Sequence, residues 1–380
     1  LNFNSNDGIV EKMPKHEKKI CDMTKIKKIC IVMQGGLGDQ VMISPTIEYI
    51  RKKEKNAHIT VISRRDSSEY HEKNPNINRH IVAPLWQQYV ENNEINYEKL
   101  KSLLGAAAVD SFDYLYNPHH GKDEMLSGII STQIQAKRKI GFNQIESISD
   151  DYKPSLFYNE ILPLPHLEHC ALYQRVFTER EYGESFDCFD FKVYYTEFDE
   201  KYINRLVENQ IYNDNIAVIH TGGGISPRKL SVEQLQNIAS ELLKKGMAPI
   251  LVGNDLRNFE QVQCIDLTNK MSIGQSAYLI LRSKLVICPD SGIKHLASAN
   301  RKPICEISHI PMGLMHLNGP YVGEKHLYSA IQFWAPNPHC PHAIVYPEDG
   351  LFEANDIASG ACITSISANL IVDTAMQLIA

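Results

Sequence analysis

Lys28-Ile-Cys-Ile-Val-Met-Gln-Gly-Gly-Leu-Gly-Asp39 is an apolar run that stops abruptly at a glycine turn. Such a short, uninterrupted run suits a strand covered on both faces, as in a parallel sheet. Beyond the turn, residues 39–53 read as a helix, with apolar side chains at Val41, Ile43, Ile47 and Ile50. A second apolar run, His58-Ile-Thr-Val-Ile-Ser63, follows a polar stretch. Strand, glycine loop, helix and strand in that order open a doubly wound α/β sheet. Residues 78–83 and 114–117 extend the series as further strands.

The alternation restarts after an acidic helix at about 196–210. Residues 216–220 (Ile-Ala-Val-Ile-His) form a strand, 221–224 a glycine loop and 231–245 an amphipathic helix. Strands at 249–252, 285–288 and 302–307 alternate with helices at 275–282 and 292–299, and a last helix begins near a capping Ser367. A chain of 380 residues is too long for one ordinary α/β core. The expected architecture is therefore α/β with two Rossmann-like domains in series. The reading divides the chain into a flexible arm (1–24), an N-terminal domain (25–195), a C-terminal domain (196–365) and a terminal helix (366–380).

Composition narrows the function. Net charge is −6, and the basic clusters at 25–28, 51–55 and 137–139 read as solvated element ends, so a nucleic-acid binder is disfavoured. The nine cysteines contain no Cys-x-x-Cys pair, and Cys30, Cys264, Cys288 and Cys305 read as small buried hydrophobes in a reducing compartment. No signal peptide or membrane-spanning run is expected.

Three strand-to-helix junctions carry the chemistry, each where α/β sheets bind ligands. The first ends in Gly38-Asp39; it is neither Gly-x-Gly-x-x-Gly nor a P-loop, and Asp39 is either a residue at the lip of the crevice or an ordinary helix cap. The second, His220-Thr-Gly-Gly-Gly224 followed by Arg228-Lys229, offers a glycine turn, hydroxyls and two cations suited to a diphosphate. The third, Cys288-Pro-Asp-Ser-Gly-Ile-Lys-His295, sets Asp290, Ser291 and His295 at the positive end of a helix. His339-Cys-Pro-His342 and Cys362 have metal-ligand types, yet lack paired-cysteine spacing, and no metal site is assigned.

These motifs, in this order from Lys28 onward, resemble glycosyltransferase family nine, the ADP-heptose:lipopolysaccharide heptosyltransferases. Asp290-Ser-Gly-Ile-Lys-His-Leu-Ala297 is the most specific of them; Lys139-Ile-Gly-Phe142 and His166-Leu-Glu-His169 resemble further landmarks. The resemblance implies the GT-B fold, two Rossmann-like domains facing across a cleft. It implies an enzyme that moves a sugar, heptose in that family, from ADP-heptose to a bacterial surface glycan such as lipopolysaccharide core. Other branches take another nucleotide sugar or a protein acceptor. Asp39 is implied as general base. Thr221, Gly222, Asp290, Ser291, Gly292, His295 and either Arg228 or Lys229 are implied as donor contacts. For the ribose, Gly253-Asn-Asp-Leu-Arg-Asn-Phe-Glu260 offers both Asp255 and Glu260. Gly38, Lys122 and His166 are assigned to the acceptor, with the loop histidines near 119–120 and His169 as further contacts.

The sequence contains no Asp-x-Asp, the motif with which metal-dependent transferases hold a cation on the diphosphate, so no metal or other cofactor is expected. The expected location is the cytoplasm, with peripheral contact at the inner membrane. The competing readings are a hydrolysing or epimerising nucleotide-sugar enzyme and a non-catalytic nucleotide-sugar-binding protein.

Overall fold

The computed structural model describes residues 26–118, 124–143, 153–163, 169–210, 215–222, 228–309, 334–348 and 361–380. They build two six-stranded parallel sheets and one small antiparallel hairpin. The first sheet contains β1 (Lys28–Met33), β2 (His58–Ser63), β3 (Arg79–Val82), β4 (Ser111–Tyr116), β5 (Gln135–Phe142) and β6 (Glu160–Leu162), in the order β3-β2-β1-β4-β5-β6. The second contains β7 (Ile216–His220), β8 (Ala248–Val252), β9 (Ile265–Asp266), β10 (Leu285–Pro289), β11 (Ile304–Ile307) and β12 (His342–Val345), in the order β9-β8-β7-β10-β11-β12. Both therefore wind outward in two directions from their first strand. The switch point, where such sheets bind ligands, lies in each case between the first and fourth strands.

The first strand of each sheet is apolar along most of its length. Ile29 to Val32 and Ile216 to Ile219 are completely buried, because helices cover both faces of each sheet. The strands that the sequence did not show are the outer ones. β5 alternates exposed Gln135 and Lys137 with its covered positions, so it has no continuous apolar run. Its basic cluster is only partly solvated, because Arg138 forms bidentate pairs with Glu160 and Glu181.

Of the helices, α1 (Leu37–Lys53) follows β1 and begins two residues earlier than expected. Gly36 stands at its N-cap without a side-chain bond, so Asp39 is one residue of the first turn and not the cap. α2 (Ser68–Glu72) packs against the edge strand β3, and α3 (Cys170–Tyr182) packs beside α1. The second half contains α4 (Glu197–Gln210), α5 (Val232–Lys244), α6 (Ile273–Arg282), α7 (Gly292–Ala299) and α8 (Ala368–Gln377). Ser231, Ser272 and Ser367 cap α5, α6 and α8 through their side chains, the last as the sequence predicted. α8 stays with the second sheet, against α5, β11 and β12.

A single apolar cluster joins the halves, running from Ile29 and Ile47 through Phe191 to Val218, Ile280 and Leu296. A polar clasp adds to it. Glu69 of α2 accepts the backbone N–H groups of Ile273 (2.8 Å) and Gly274 (3.2 Å) at the start of α6, and Lys73 bridges Glu69 (2.6 Å) to Asp199 (2.9 Å). Burial pushes the Glu69 pKa up, but Lys73 and the two N–H groups outweigh it and hold the carboxyl below its ordinary 4.5. A lowered folded-state pKa contributes stability that is present above about pH 4.5 and lost as pH falls through the folded value. Glu69→Gln should therefore lower stability by about 1 kcal/mol at pH 7, as loss of a cap does. The deficit should vanish in thermal melts taken well below pH 4.

Among the described residues eight cysteines are free, and all are buried except Cys264, which is partly buried and packs against the core of the second sheet. Among the described residues no helix is long and apolar enough to cross a membrane.

Candidate active site

At the end of β1 the chain must turn at once into α1, and two glycines make room. A Cβ on Gly35 would lie 2.6 Å from the Asp39 Cβ, so Asp39 folds back over the strand end only because Gly35 has no side chain. Gln40, which the sequence reading passed over, holds this turn: its amide donates to the carbonyls of Met33 (3.1 Å) and Gly35 (2.9 Å). Its Oε1 lies 2.6 Å from Nε2 of buried His71, whose pKa burial lowers to about 3. That ring is neutral at physiological pH and can donate a hydrogen bond to Gln40. Asp39 itself is half-buried, close enough to Cys170 to help burial raise that thiol's pKa.

At the end of β7, Thr221 is buried and Gly222 pairs with Lys229 in an isolated antiparallel bridge that closes the neck of the loop between them. Gly222 has φ +148°, and a Cβ there would meet the Arg228 carbonyl at 2.6 Å. Only glycine suits this position. At the end of β10, Ser291 occupies the N-cap of α7 without using its hydroxyl as a cap.

The three ends converge. α1 and α7 meet at their first turns, with the His295 ring lying on Gly38 and Leu37 lying on Gly292; a Cβ added to Gly38 would stand 2.6 Å from His295 Cδ2. Arg228 Nη1 reaches Asp290 Oδ2 at 2.8 Å. Burial would raise the Asp290 pKa, but Lys294 and then Arg228 outweigh it and keep the carboxyl well below the usual range. Burial, helped by Lys294, lowers the His295 pKa to about 3, so this histidine serves as a neutral hydrogen-bonding group and not as a cation.

Buried polar atoms with no hydrogen-bond partner among the described residues occur in several places, and at the ends of β7 and β10 they include His220 Nδ1, Thr221 Oγ1, Arg228 Nε, Ser291 Oγ and His295 Nδ1. An unsatisfied buried group of this kind costs about 1–3 kcal/mol, so those at these strand ends are groups that a polar ligand could satisfy.

Other predicted residues fall elsewhere. Asp255 is buried, with both carboxylate oxygens held by Arg257, which also donates to the Leu230 carbonyl (2.7 Å). Desolvation raises the Asp255 pKa, but the Arg257 bonds overcome it and lower the value overall. Glu260 is exposed and bonded to Asn258. Gly292 is the first residue of α7, and Gly38 is covered by His295. Lys122, His166 and the 119–120 histidines lie outside the described residues. His169 is partly buried; its ring accepts from the Ala171 N–H as the N-cap of α3 and contacts the Ala335 carbonyl at 2.7 Å. Cys340 donates to the Lys302 carbonyl and His342 meets Glu306, and among the described residues no group of three or more His, Cys, Asp or Glu is placed to hold a metal.

Behind Asp290 lies a feature the sequence reading did not assign. Lys294 Nζ contacts Asp290 Oδ1 (2.7 Å) and Glu306 Oε1 (2.9 Å), and Glu306 Oε2 contacts His342 Nε2 (2.9 Å). The side chains of Lys294 and Glu306 are both 0% exposed. A charge inside the apolar run Ile304-Cys-Glu-Ile307 was the available signal, because a buried charge needs a partner. His309, just past the same strand, is also buried beside Arg228 and Asp290, with burial lowering its pKa to about 4.

Residues 226–307 match the family model of glycosyltransferase family 9 (heptosyltransferase). The resemblance to family nine holds. The matched segment contains Arg228, Asp290, His295, Lys294 and Glu306, while Asp39, Thr221 and Gly222 lie outside it. No curated protein matches the chain by sequence. Among solved structures, a glycosyl transferase family 9 protein from Veillonella parvula DSM 2008 is similar at 18% identity and TM-score 0.69, covering 93% of this chain and 97% of the other. An Escherichia coli ADP-heptose LPS heptosyltransferase II follows at 14% identity and TM-score 0.63, covering 93% and 98%. An E. coli heptosyltransferase solved with ADP has 14% identity and TM-score 0.60, covering 92% and 97%. The architecture is that of a GT-B glycosyltransferase.

The contact between Gly38 and His295 yields a direct expectation. Gly38→Ala forces the two first turns apart, so transfer should fall by about 10²-fold, the effect of misplacing reacting groups by about 1 Å. Nucleotide binding should weaken less than turnover, because His295 is displaced but the Gly222 and Arg228 contacts are not; steady-state kinetics beside a nucleotide titration checks both.

Proposed function

We propose that the chain is an inverting glycosyltransferase that moves heptose from ADP-heptose to a bacterial surface glycan such as lipopolysaccharide core. Asp39 takes the proton of an acceptor hydroxyl, whose oxygen attacks the anomeric carbon of the donor sugar. The bond to the nucleoside diphosphate breaks with its electron pair on the departing phosphate oxygen. Arg228, the Thr221–Gly222 backbone and the first turn of α7 receive that charge, and His295 and Ser291 donate hydrogen bonds. In this reading residues 25–195 serve the acceptor and residues 196–365 the donor, and the reaction takes place where α1 and α7 meet. Asp255 steadies the donor loop through Arg257, leaving the ribose to other groups.

One observation carries the reading: the first turn of α1, which contains Asp39, lies against the first turn of α7, where His295 contacts Gly38 and Arg228 reaches Asp290. These turns are in contact, so a small parting of the halves must admit the donor, and reclosure excludes water from it. The absence of an Asp-x-Asp sequence supports transfer without a metal. Its expected setting is the cytoplasmic face of the inner membrane, where such acceptors are assembled.

A calorimetric screen of ADP-, UDP- and GDP-sugars with and without Mg²⁺ tests the donor. The reading expects ADP-heptose to bind in either condition. Binding of another nucleotide sugar alone, or strict dependence on Mg²⁺, counts against it.

A further inference from the structure

The chain of charges behind Asp290 is more than packing requires. Lys294 lies four residues after Asp290 on the covered side of α7, and its ammonium is shared by two carboxylates from different elements. Burial lowers its pKa, yet Asp290 and Glu306 outweigh that effect and keep it protonated. A buried ion pair seldom adds stability over apolar packing, so its retention at a ligand site points to a positional role. Each oxygen of Asp290 has a different cation: Oδ1 faces Lys294 from inside the core, and Oδ2 faces Arg228 from the glycine loop.

We propose that Lys294 is a positioning residue for the donor sugar. Anchored by Glu306 and, behind it, His342, it fixes Asp290 as an oriented carboxylate whose Oδ2 can pass from Arg228 to a sugar hydroxyl when Arg228 turns to the diphosphate. The inference rests on the donor reading given above. It differs from a simple cation site, because Lys294 acts only through Asp290 and touches no ligand. The groups acting on Asp290 are Arg228 beyond β7, Lys294 and His295 on α7, Cys288 on β10, and His309 beyond β11, with Glu306 of β11 reached through Lys294. Of these, Lys294 and Arg228 are the hydrogen-bonded or ion-paired cations, so removing Lys294 leaves Asp290 ionisation to Arg228 alone.

The test compares binding of ADP-heptose with binding of ADP by calorimetry at pH 5 and pH 8, for the wild type and for K294Q/E306Q. Changing both members avoids leaving one buried charge alone. The ratio of the two affinities isolates the sugar subsite from the diphosphate loops. ADP gains a charge on its terminal phosphate between these pH values and ADP-heptose does not, so each variant ratio is compared with the wild-type ratio at the same pH. K294Q/E306Q should keep its ADP affinity while its ratio falls at least tenfold below the wild-type ratio, because Asp290 has lost the contact that fixes Oδ1. A wild-type ratio at both pH values in the double variant overturns the inference and leaves the donor reading intact. Failure of the wild type to bind either nucleotide overturns the donor reading, and the inference with it. Should K294Q/E306Q not reach a wild-type circular dichroism spectrum, K294M/E306L replaces the pair with apolar groups; if neither folds, the pair is a folding element and the inference fails.

Discussion

Asp39→Asn is expected to reduce kcat by about 10²–10⁴-fold, the contribution of a positioned general base. The substitution is nearly isosteric, and Asp39 is not the cap of α1, so the helix does not depend on its charge for its start. An acidic group in the first turn gains a modest 0.3–1 kcal/mol from the helix dipole, and its loss should lower the melting temperature only slightly. Donor affinity should be unchanged, because the cations and glycine loops belong to the second sheet. A large drop in kcat with intact nucleotide binding separates a base from a structural aspartate. Wild-type turnover in the variant removes Asp39 from the chemistry, and loss of folding moves it to the core.

Arg228→Met should lower kcat/KM by about 10²–10³-fold, equivalent to about 3–4 kcal/mol of transition-state stabilisation. The sequence left Arg228 and Lys229 as equal alternatives. We propose Arg228 as the diphosphate contact, because its guanidinium is at Asp290 Oδ2 while Lys229 is bridged to Gly222 through its backbone. Lys229→Met should therefore cost much less. Methionine retains the length of the arginine stem, so the neck of the loop should survive and the loss should be electrostatic. Raised salt should weaken ADP binding to the wild type more than to Arg228→Met, which a titration series at several ionic strengths would read. Equal losses in the two variants would show that the pair acts as a diffuse positive field.

The central strands were legible because parallel strands covered on both faces leave a continuous apolar signature: Lys28–Met33, His58–Ser63 and Ile216–His220 coincide with the runs in the sequence. The edge strands Glu160–Leu162, Ile265–Asp266 and His342–Val345 were not, since strands of two to four residues carry too little periodicity. The site was partly legible for a related reason. Asp290, Ser291 and His295 sit on one strand-to-helix junction, where local sequence shows the geometry. Lys294, Glu306 and His342 meet only through tertiary packing, and of these Glu306 alone left a trace, as a charge in a buried run. Gln40 and His71 are another pair that only the folded chain brings together, 31 residues apart.

The account stands most directly on one assay: release of ADP from ADP-heptose, followed with and without a lipopolysaccharide-core acceptor, for the wild type and Asp39→Asn. The account predicts release that requires acceptor, yields the glycosylated acceptor with inverted anomeric configuration, and is lost in Asp39→Asn. Release at the same rate without acceptor would show a hydrolase, and no release from any acceptor with retained ADP-heptose binding would show a binding protein; either result contradicts the transferase.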